Sequence, residues 1–335
     1  MQYRAGVNRS GKKRGGATLE MLLAGLSEIK DQLGSELARE RLKQALASPQ
    51  SIAVARAAKL IARGEVSGFD AALVSAFDRM LENSAKNDPG CQAKQAIADA
   101  LYKLDSREDA VFLRGIRHVQ REASWGPPVD TAANLRAVCA LGLVRRNHPA
   151  ALLELGDLLA DSESPARIGA AKALSYSEND NAVPLLRLRV LTGEADPQVL
   201  AECLASLAAL DPEGSPELME RLLSSPESAV AETAALALGA TRSPQAFDVL
   251  RRWWERSPEP ELRRAALLAI ATLRLDASFE FLLSLVEDAP GQTARDAVAA
   301  LGIHRHDAAV RERVVRIAGA REDVELGPAV AEAFE

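Results

Sequence analysis

Large apolar residues return along the chain at the spacing of one helix face. Each run ends on one of Ile61, Leu101, Leu141, Leu174, Leu207, Leu238, Ile270, Leu301 and Phe334, with gaps of 40, 40, 33, 33, 31, 32, 31 and 33 residues. Four positions earlier stand Ala57, Ile97, Ala137, Ala170, Cys203, Ala234, Ala266, Ala297 and Val330. Eight earlier stand Ala53, Ala93, Ala133, Ala166, Val199, Val230, Leu262, Thr293 and Leu326. The residue just before each anchor is Ala or Ser in every run but the first. Such a stripe is the buried face of an α-helix that lets its neighbours approach closely. Second amphipathic stretches lie between, at 149–161, 215–225, 243–257 and 278–288, so each unit reads as two helices. Ser164-Pro165, Asp196-Pro197, Ser215-Pro216, Ser225-Pro226 and Ser243-Pro244 punctuate the units as expected helix starts, the polar side chain capping and Pro in the first turn. The chain reads as all-α. Residues 1–16 are expected to be a disordered basic tail, 17–34 a capping helix, and 35–335 an array of about nine helix pairs.

Over residues 35–335 this pattern resembles the HEAT repeat family, and the 31–33-residue units resemble its short, phycobilisome-lyase-type variety. The resemblance implies a right-handed α-solenoid of stacked helical hairpins with a concave binding surface. Stacking is physically required, because one helix pair cannot bury both of its faces. Solenoids of this kind serve many tasks, so the resemblance specifies fold more than function.

Composition fits such a core: 47% of residues are hydrophobic but only 4% aromatic, leaving Leu, Ala, Val and Ile to fill it. The net charge of −6 is unevenly spread. Residues 1–148 hold 23 Lys and Arg against 16 Asp and Glu, a net +7; residues 149–335 hold 18 against 31, a net −13. That polarity predicts an anion-attracting N-terminal part and a cation-attracting C-terminal part. Cys91, Cys139 and Cys203 fall in apolar helical patterns and read as small buried residues of a reducing, cytoplasmic protein. No stretch reads as a membrane span.

Motifs for chemistry are sparse. The HEAT-repeat deoxyhypusine hydroxylases hold iron with His-Glu pairs, whereas the histidines here are followed by Val119, Pro149, Arg305 and Asp307. His304 and His306 sit two apart at an expected turn, which reads as a surface cluster. No phosphate-cradling glycine loop and no GxSxG elbow occurs. No catalytic residue, metal or cofactor is therefore expected. In "VLRRWWERS", Trp254 is expected to pack inward with Phe247 and Leu250, and Trp253 to be half exposed.

One stretch departs from the rhythm: "FLRGIRHVQREASWGPPVDTAANLR", Phe112–Arg136. Residues 107–122 read as a helix burying Val111, Phe112, Ile116 and Val119, with Arg114, Arg117 and Arg121 along another side. Asp130 before Thr131 reads as the N-cap of a second helix over 131–146. Six arginines against Glu122 and Asp130 give residues 111–148 a local +4. Arginine forks bind carboxylate or phosphate, and an aromatic anchor suits an interface. The expected contact patch is Arg114, Arg117, His118, Arg121, Trp125, Asp130, Arg136 and Arg145. The preferred reading is a non-enzymatic scaffold for a protein partner. The alternative is nucleic-acid binding through residues 1–148, in the manner of the HEAT-like DNA glycosylases.

Overall fold

The computed structural model describes residues 10–321 and 323–335, with side chains from Leu19 onward, and divides at Glu178 into two compact units. The first unit is built from α1 (Ser10–Glu28), α2 (Glu36–Leu46), α3 (Ser51–Gly64), α4 (Asp70–Leu81), the short α5 (Ser84–Asn87), α6 (Gln92–Lys103), α7 (Asp109–Ile116), α8 (Ala133–Arg145), α9 (Ala151–Leu158) and α10 (Ser164–Tyr176). Two short strands, β1 (Arg121–Glu122) and β2 (Val129–Asp130), pair antiparallel between α7 and α8. The second unit comprises α11 (Ala182–Leu191), α12 (Pro197–Leu210), α13 (Ser215–Leu222), α14 (Ser228–Ala240), α15 (Pro244–Arg256), α16 (Pro260–Leu273), α17 (Asp276–Asp288), α18 (Gly291–Leu301), α19 (Ala308–Gly319) and α20 (Leu326–Phe334). Residues 1–9 of the expected tail lie outside the described residues, and α1 begins within that expected tail rather than after it.

Within each unit the architecture is stacked helical hairpins. In the first, α3, α6, α8 and α10 pack side by side as one layer, and α2, α4, α7 and α9 each back one of them. In the second, α12, α14, α16, α18 and α20 form the layer, backed by α11, α13, α15, α17 and α19. The anchor stripe fills the core between the layers. Ile61, Leu101, Leu174, Leu207, Leu238, Ile270 and Leu301 are fully buried, as are Ala57, Ala170, Cys203, Ala234, Ala266 and Ala297 four residues earlier. Small residues in the stripe set the helix spacing. A Cβ on Gly169 of α10 would lie 2.3 Å from that of Ala137 on α8, so the two backbones touch where glycine allows it.

α8 breaks the register. Leu141 and Ala137 are only half-buried, and the buried face runs instead through Leu135, Arg136, Cys139, Ala140 and Leu143. This rotation carries Arg136 into the interior. Of the five Ser-Pro or Asp-Pro pairs, Asp196 caps as expected, its side chain accepting from the Gln198 N–H at 2.8 Å. Ser164 and Ser215 instead lie one residue inside their helices, and Ser243 occupies the cap position but accepts no helix N–H, its hydroxyl donating to Gln245 Oε1 at 2.6 Å. Ser225 accepts from the Glu227 N–H at 3.2 Å, in the turn before α14.

The tryptophans exchange the places expected for them. Trp253 is buried, in line with Ala246 and Leu250, and its indole N–H donates to the Leu223 carbonyl at 3.1 Å. Trp254 is half-buried, edge-on to Phe281 at 5.5 Å between ring centres, with the Arg263 guanidinium 4.6 Å over its ring. His304 is not on the surface either; it is buried, with Nε2 2.9 Å from the Ala271 carbonyl, while His306 stays exposed.

Candidate functional site

The two 40-residue gaps in the repeat rhythm are accounted for together. The extra length between the Ile61 and Leu101 anchors forms α5, entered through Asn83 in left-handed backbone, and after it a tight turn in which Gly90 and Cys91 are left-handed. The extra length between Leu101 and Leu141 forms a β-hairpin, with Arg121 opposite Asp130 and Glu122 opposite Val129. The helix expected over 107–122 therefore stops at Ile116. Val111, Phe112 and Ile116 are buried as expected, but Val119 is 56% exposed because it lies past the helix end.

The two insertions are joined through a buried polar network. Asp88 is fully buried; its carboxylate accepts from the N–H groups of Ala93 and Lys94 and from Lys94 Nζ at 3.0 Å. Lys94, also fully buried, gives a second proton to the Met80 carbonyl. From the hairpin, Gln120 donates its amide to the Asp88 carbonyl at 2.8 Å and to Glu122 Oε1 at 2.6 Å, and accepts from the Ser84 hydroxyl. Glu122 Oε1 also accepts from the Gly90 N–H at 2.7 Å and the Thr131 hydroxyl at 2.8 Å. Burial alone would raise the Glu122 carboxyl, but these three donors hold it below its ordinary value. His118 Nε2 lies 2.9 Å from Ser84 Oγ and 3.3 Å from Gln120 Oε1. Ser84 gives its proton to Gln120, so the network assigns the imidazole proton to Nε2. Burial keeps this imidazole below its usual titration range.

A second cluster fixes the hairpin to α8. Arg136, 2% exposed at its side chain, reaches Asp130 Oδ2 at 2.7 Å and Asp161 Oδ2 at 2.8 Å, and donates to the His118 carbonyl at 2.8 Å. Asp130 is 7% exposed and accepts from the Gln120 and Ala132 N–H groups. Its carboxyl falls below the usual range, because these bonds and the Arg136 charge outweigh burial. Asp130 therefore ties the base of the hairpin rather than capping α8, which starts at Ala133 without a side-chain cap.

These contacts sort the eight residues expected to form one contact patch. Arg136 and Asp130 point inward, and His118 is half-buried. Arg117 is exposed but clamps Glu154 with both arms of its guanidinium; Glu154 is 5% exposed, and its carboxyl is lowered by that pairing. Arg114 holds Asp78 at 2.7 Å. Arg145 lies 3.4 Å from Asp105 and stacks over the Tyr102 ring at 4.9 Å. The local +4 is thus largely neutralised by carboxylates that the fold brings in from other helices. Arg121 and Trp125 remain. Arg121 is exposed with no carboxylate partner among the described residues, on the face of β1 opposite Glu122. Trp125 stands at the hairpin tip with 110% relative exposure. The tip is shaped by Ser124, whose hydroxyl donates to the Pro127 carbonyl at 2.7 Å and accepts from the Gly126 N–H.

In the second unit, helix pairs recur without insertions. A family model described as HEAT repeats matches residues 188–271 and 215–302. Together the two matches span residues 188–302. The helix pairs of this stretch carry the 31–32-residue spacing, and α7–α8 in the first unit is a pair of the same plan with a hairpin between its helices. No curated protein matches the chain. Among solved structures, the chain is similar to an engineered protein at 18% identity and a TM-score of 0.39, covering 98% of this chain and 96% of that one. It is also similar to the complex of CpcE and CpcF of phycocyanin lyase from Nostoc sp. PCC7120, at 17% identity and a TM-score of 0.37, covering 91% and 96%.

The described residues contain no group of three or more His, Cys, Asp and Glu placed to hold a metal ion. The three cysteines are buried, and burial pushes the Cys91 thiol up to about 12 and that of Cys139 up as well, so neither is a ready nucleophile. No described helix is long and apolar enough to cross a membrane.

Proposed function

We propose that the chain is a non-enzymatic, cytoplasmic protein-binding scaffold, and that the β1–β2 hairpin is its contact element. One observation carries this reading. A fully exposed tryptophan stands on a loop whose base is held by two buried polar clusters. The anchoring holds the tip in a defined position, so little ordering is left for the moment of association. An exposed Trp contributes little to folding but is among the residue types enriched at interface hot spots. Arg121, at the base of the same hairpin, supplies a guanidinium with no carboxylate partner among the described residues, suited to one on the partner.

At the hairpin, the nucleic-acid reading is not favoured by the same geometry. Phosphate binding needs cations free to replace counterions. Arg114, Arg117, Arg136 and Arg145 instead already hold Asp78, Glu154, Asp130 with Asp161, and Asp105. The test places a photo-crosslinking residue at position 123, an exposed hairpin position that leaves Trp125 in place, in the native cell. A discrete crosslinked protein, lost when the crosslinker is moved to the exposed position Ser284 on α17, supports the reading. Crosslinking to nucleic acid, or to no macromolecule, overturns it.

A further inference from the structure

The layer α3–α6–α8 carries a second surface that uses none of the hairpin's exposed residues. A groove of 530 Å³ crosses these helices, lined among others by Lys59, Gln92, Gln95, Asp99, Asn134 and Val138. Two features distinguish it from the elbow. First, the carboxamides of Gln92, Gln95 and Asn134 make no hydrogen bond among the described residues. Each offers a donor and an acceptor, the same pair that a peptide bond presents. Second, the α3 face beside it is cationic: Lys59 lines the groove, and Arg56 and Arg63 share its exposed face of α3. None of the three holds a carboxylate among the described residues; Arg56 donates to the Ser27 hydroxyl and Arg63 to the Lys30 carbonyl. Asp99, the one acidic residue lining the groove, is held by Lys103 at 3.2 Å.

We infer that this groove binds an extended acidic segment of a protein partner. Amides on α6 and α8 hold its backbone, and the Arg56–Lys59–Arg63 column on α3 receives its carboxylates. The dimensions agree. Packed helices lie about 8–10 Å apart, and an extended chain advances about 3.3 Å per residue, so each step between helices spans roughly three residues. About six residues reach from α3 to α8. Every second side chain then faces the layer, which suits acidic residues in alternation. A single-stranded nucleic acid fits less well, because bases bind on aromatic platforms and no aromatic side chain among the described residues lines the groove.

The test uses the full chain and a fluorescein-labelled peptide about ten residues long, glutamate alternating with serine, followed by fluorescence anisotropy at low salt. Saturable binding that weakens with added salt is expected. Lys59→Glu should weaken it at least about tenfold, and Gln95→Ala with Asn134→Ala about fivefold. Lys59→Gln is measured alongside, with an expected loss of about threefold, so that a folding defect in one variant leaves the test intact. Trp125→Ala should leave peptide affinity unchanged, which separates this inference from the role proposed for the hairpin. Absence of binding, indifference to the groove variants, or equal binding of a lysine–serine peptide or a thymidine oligonucleotide would overturn the inference.

Discussion

Arg136→Ala decides whether that arginine is a contact residue or an internal tie. In the structure its side chain is 2% exposed, between Asp130 at 7% and Asp161 at 15%. Removing it leaves two poorly solvated carboxylates without their cation and strips a donor from the His118 carbonyl. Breaking a buried ion pair by deleting one partner costs about 3–5 kcal/mol. Asp130 keeps its donors from Gln120 and Ala132, and Asp161 keeps the Glu163 N–H. Those bonds place the expected loss near the lower end, about 3 kcal/mol. With a urea dependence of about 2 kcal/mol per molar, the midpoint falls by about 1.5 M. The assay is urea unfolding followed by far-ultraviolet circular dichroism, with hydrogen exchange of the α8 amides to localise the loss. Arg136→Lys should fall between, since it keeps the charge but loses the two-armed geometry. A cost under about 1 kcal/mol, the size of an exposed pair, would refute the tie and return Arg136 to the surface patch.

Further outcomes follow from the same contacts. Trp125→Ala should change stability by less than about 0.5 kcal/mol while abolishing partner capture, read by urea midpoint and crosslinking. Arg117→Glu should lower the midpoint, because it sets a second carboxylate against the nearly buried Glu154, whereas Arg121→Glu should leave it unchanged; equal effects would show that the Glu154 pairing is unimportant. His118 titrates below its ordinary value in the fold because of burial, so the unfolded chain takes its proton first. Its contribution is complete above about pH 6.5 and is lost as the pH falls below that point; His118→Gln should flatten the stability profile in that window. The lowered Asp130 acts in a more acidic window, its contribution present above about pH 4 and lost as its carboxylate protonates. Gly115→Ala puts a Cβ 2.3 Å from Cys139 Sγ and should cost about 1–3 kcal/mol, partly recovered in a Gly115→Ala, Cys139→Ala double variant. No recovery would mean that the clash is relieved elsewhere.

The hairpin was hidden in the sequence for a physical reason. Val111, Phe112 and Ile116 carry the helical rhythm past the point where the helix ends, and Arg117 is a good helix former. What stops the helix is not local. Gln120 and Glu122 find better partners in the Asp88–Gly90 turn, about 30 residues earlier, than a further helical turn would give them. One trace was present: Gly126-Pro127-Pro128 marks a turn, and Gln120 and Glu122 alternate across Arg121 as strand residues do. The arginines were visible as residues, but their carboxylate partners Asp78, Glu154 and Asp161 lie in other helices of the first unit.

The sequence alone determined the all-α class, the stripe of anchors and the presence of buried cysteines, because a helix face repeats within a few residues and needs no distant partner to be recognised. The rotation of α8, the docking of the two long insertions, and the division of the arginines into ties and free groups were decided by tertiary structure alone. Those features depend on which carboxylate or carbonyl arrives from elsewhere in the chain, and local spacing carries no information about that.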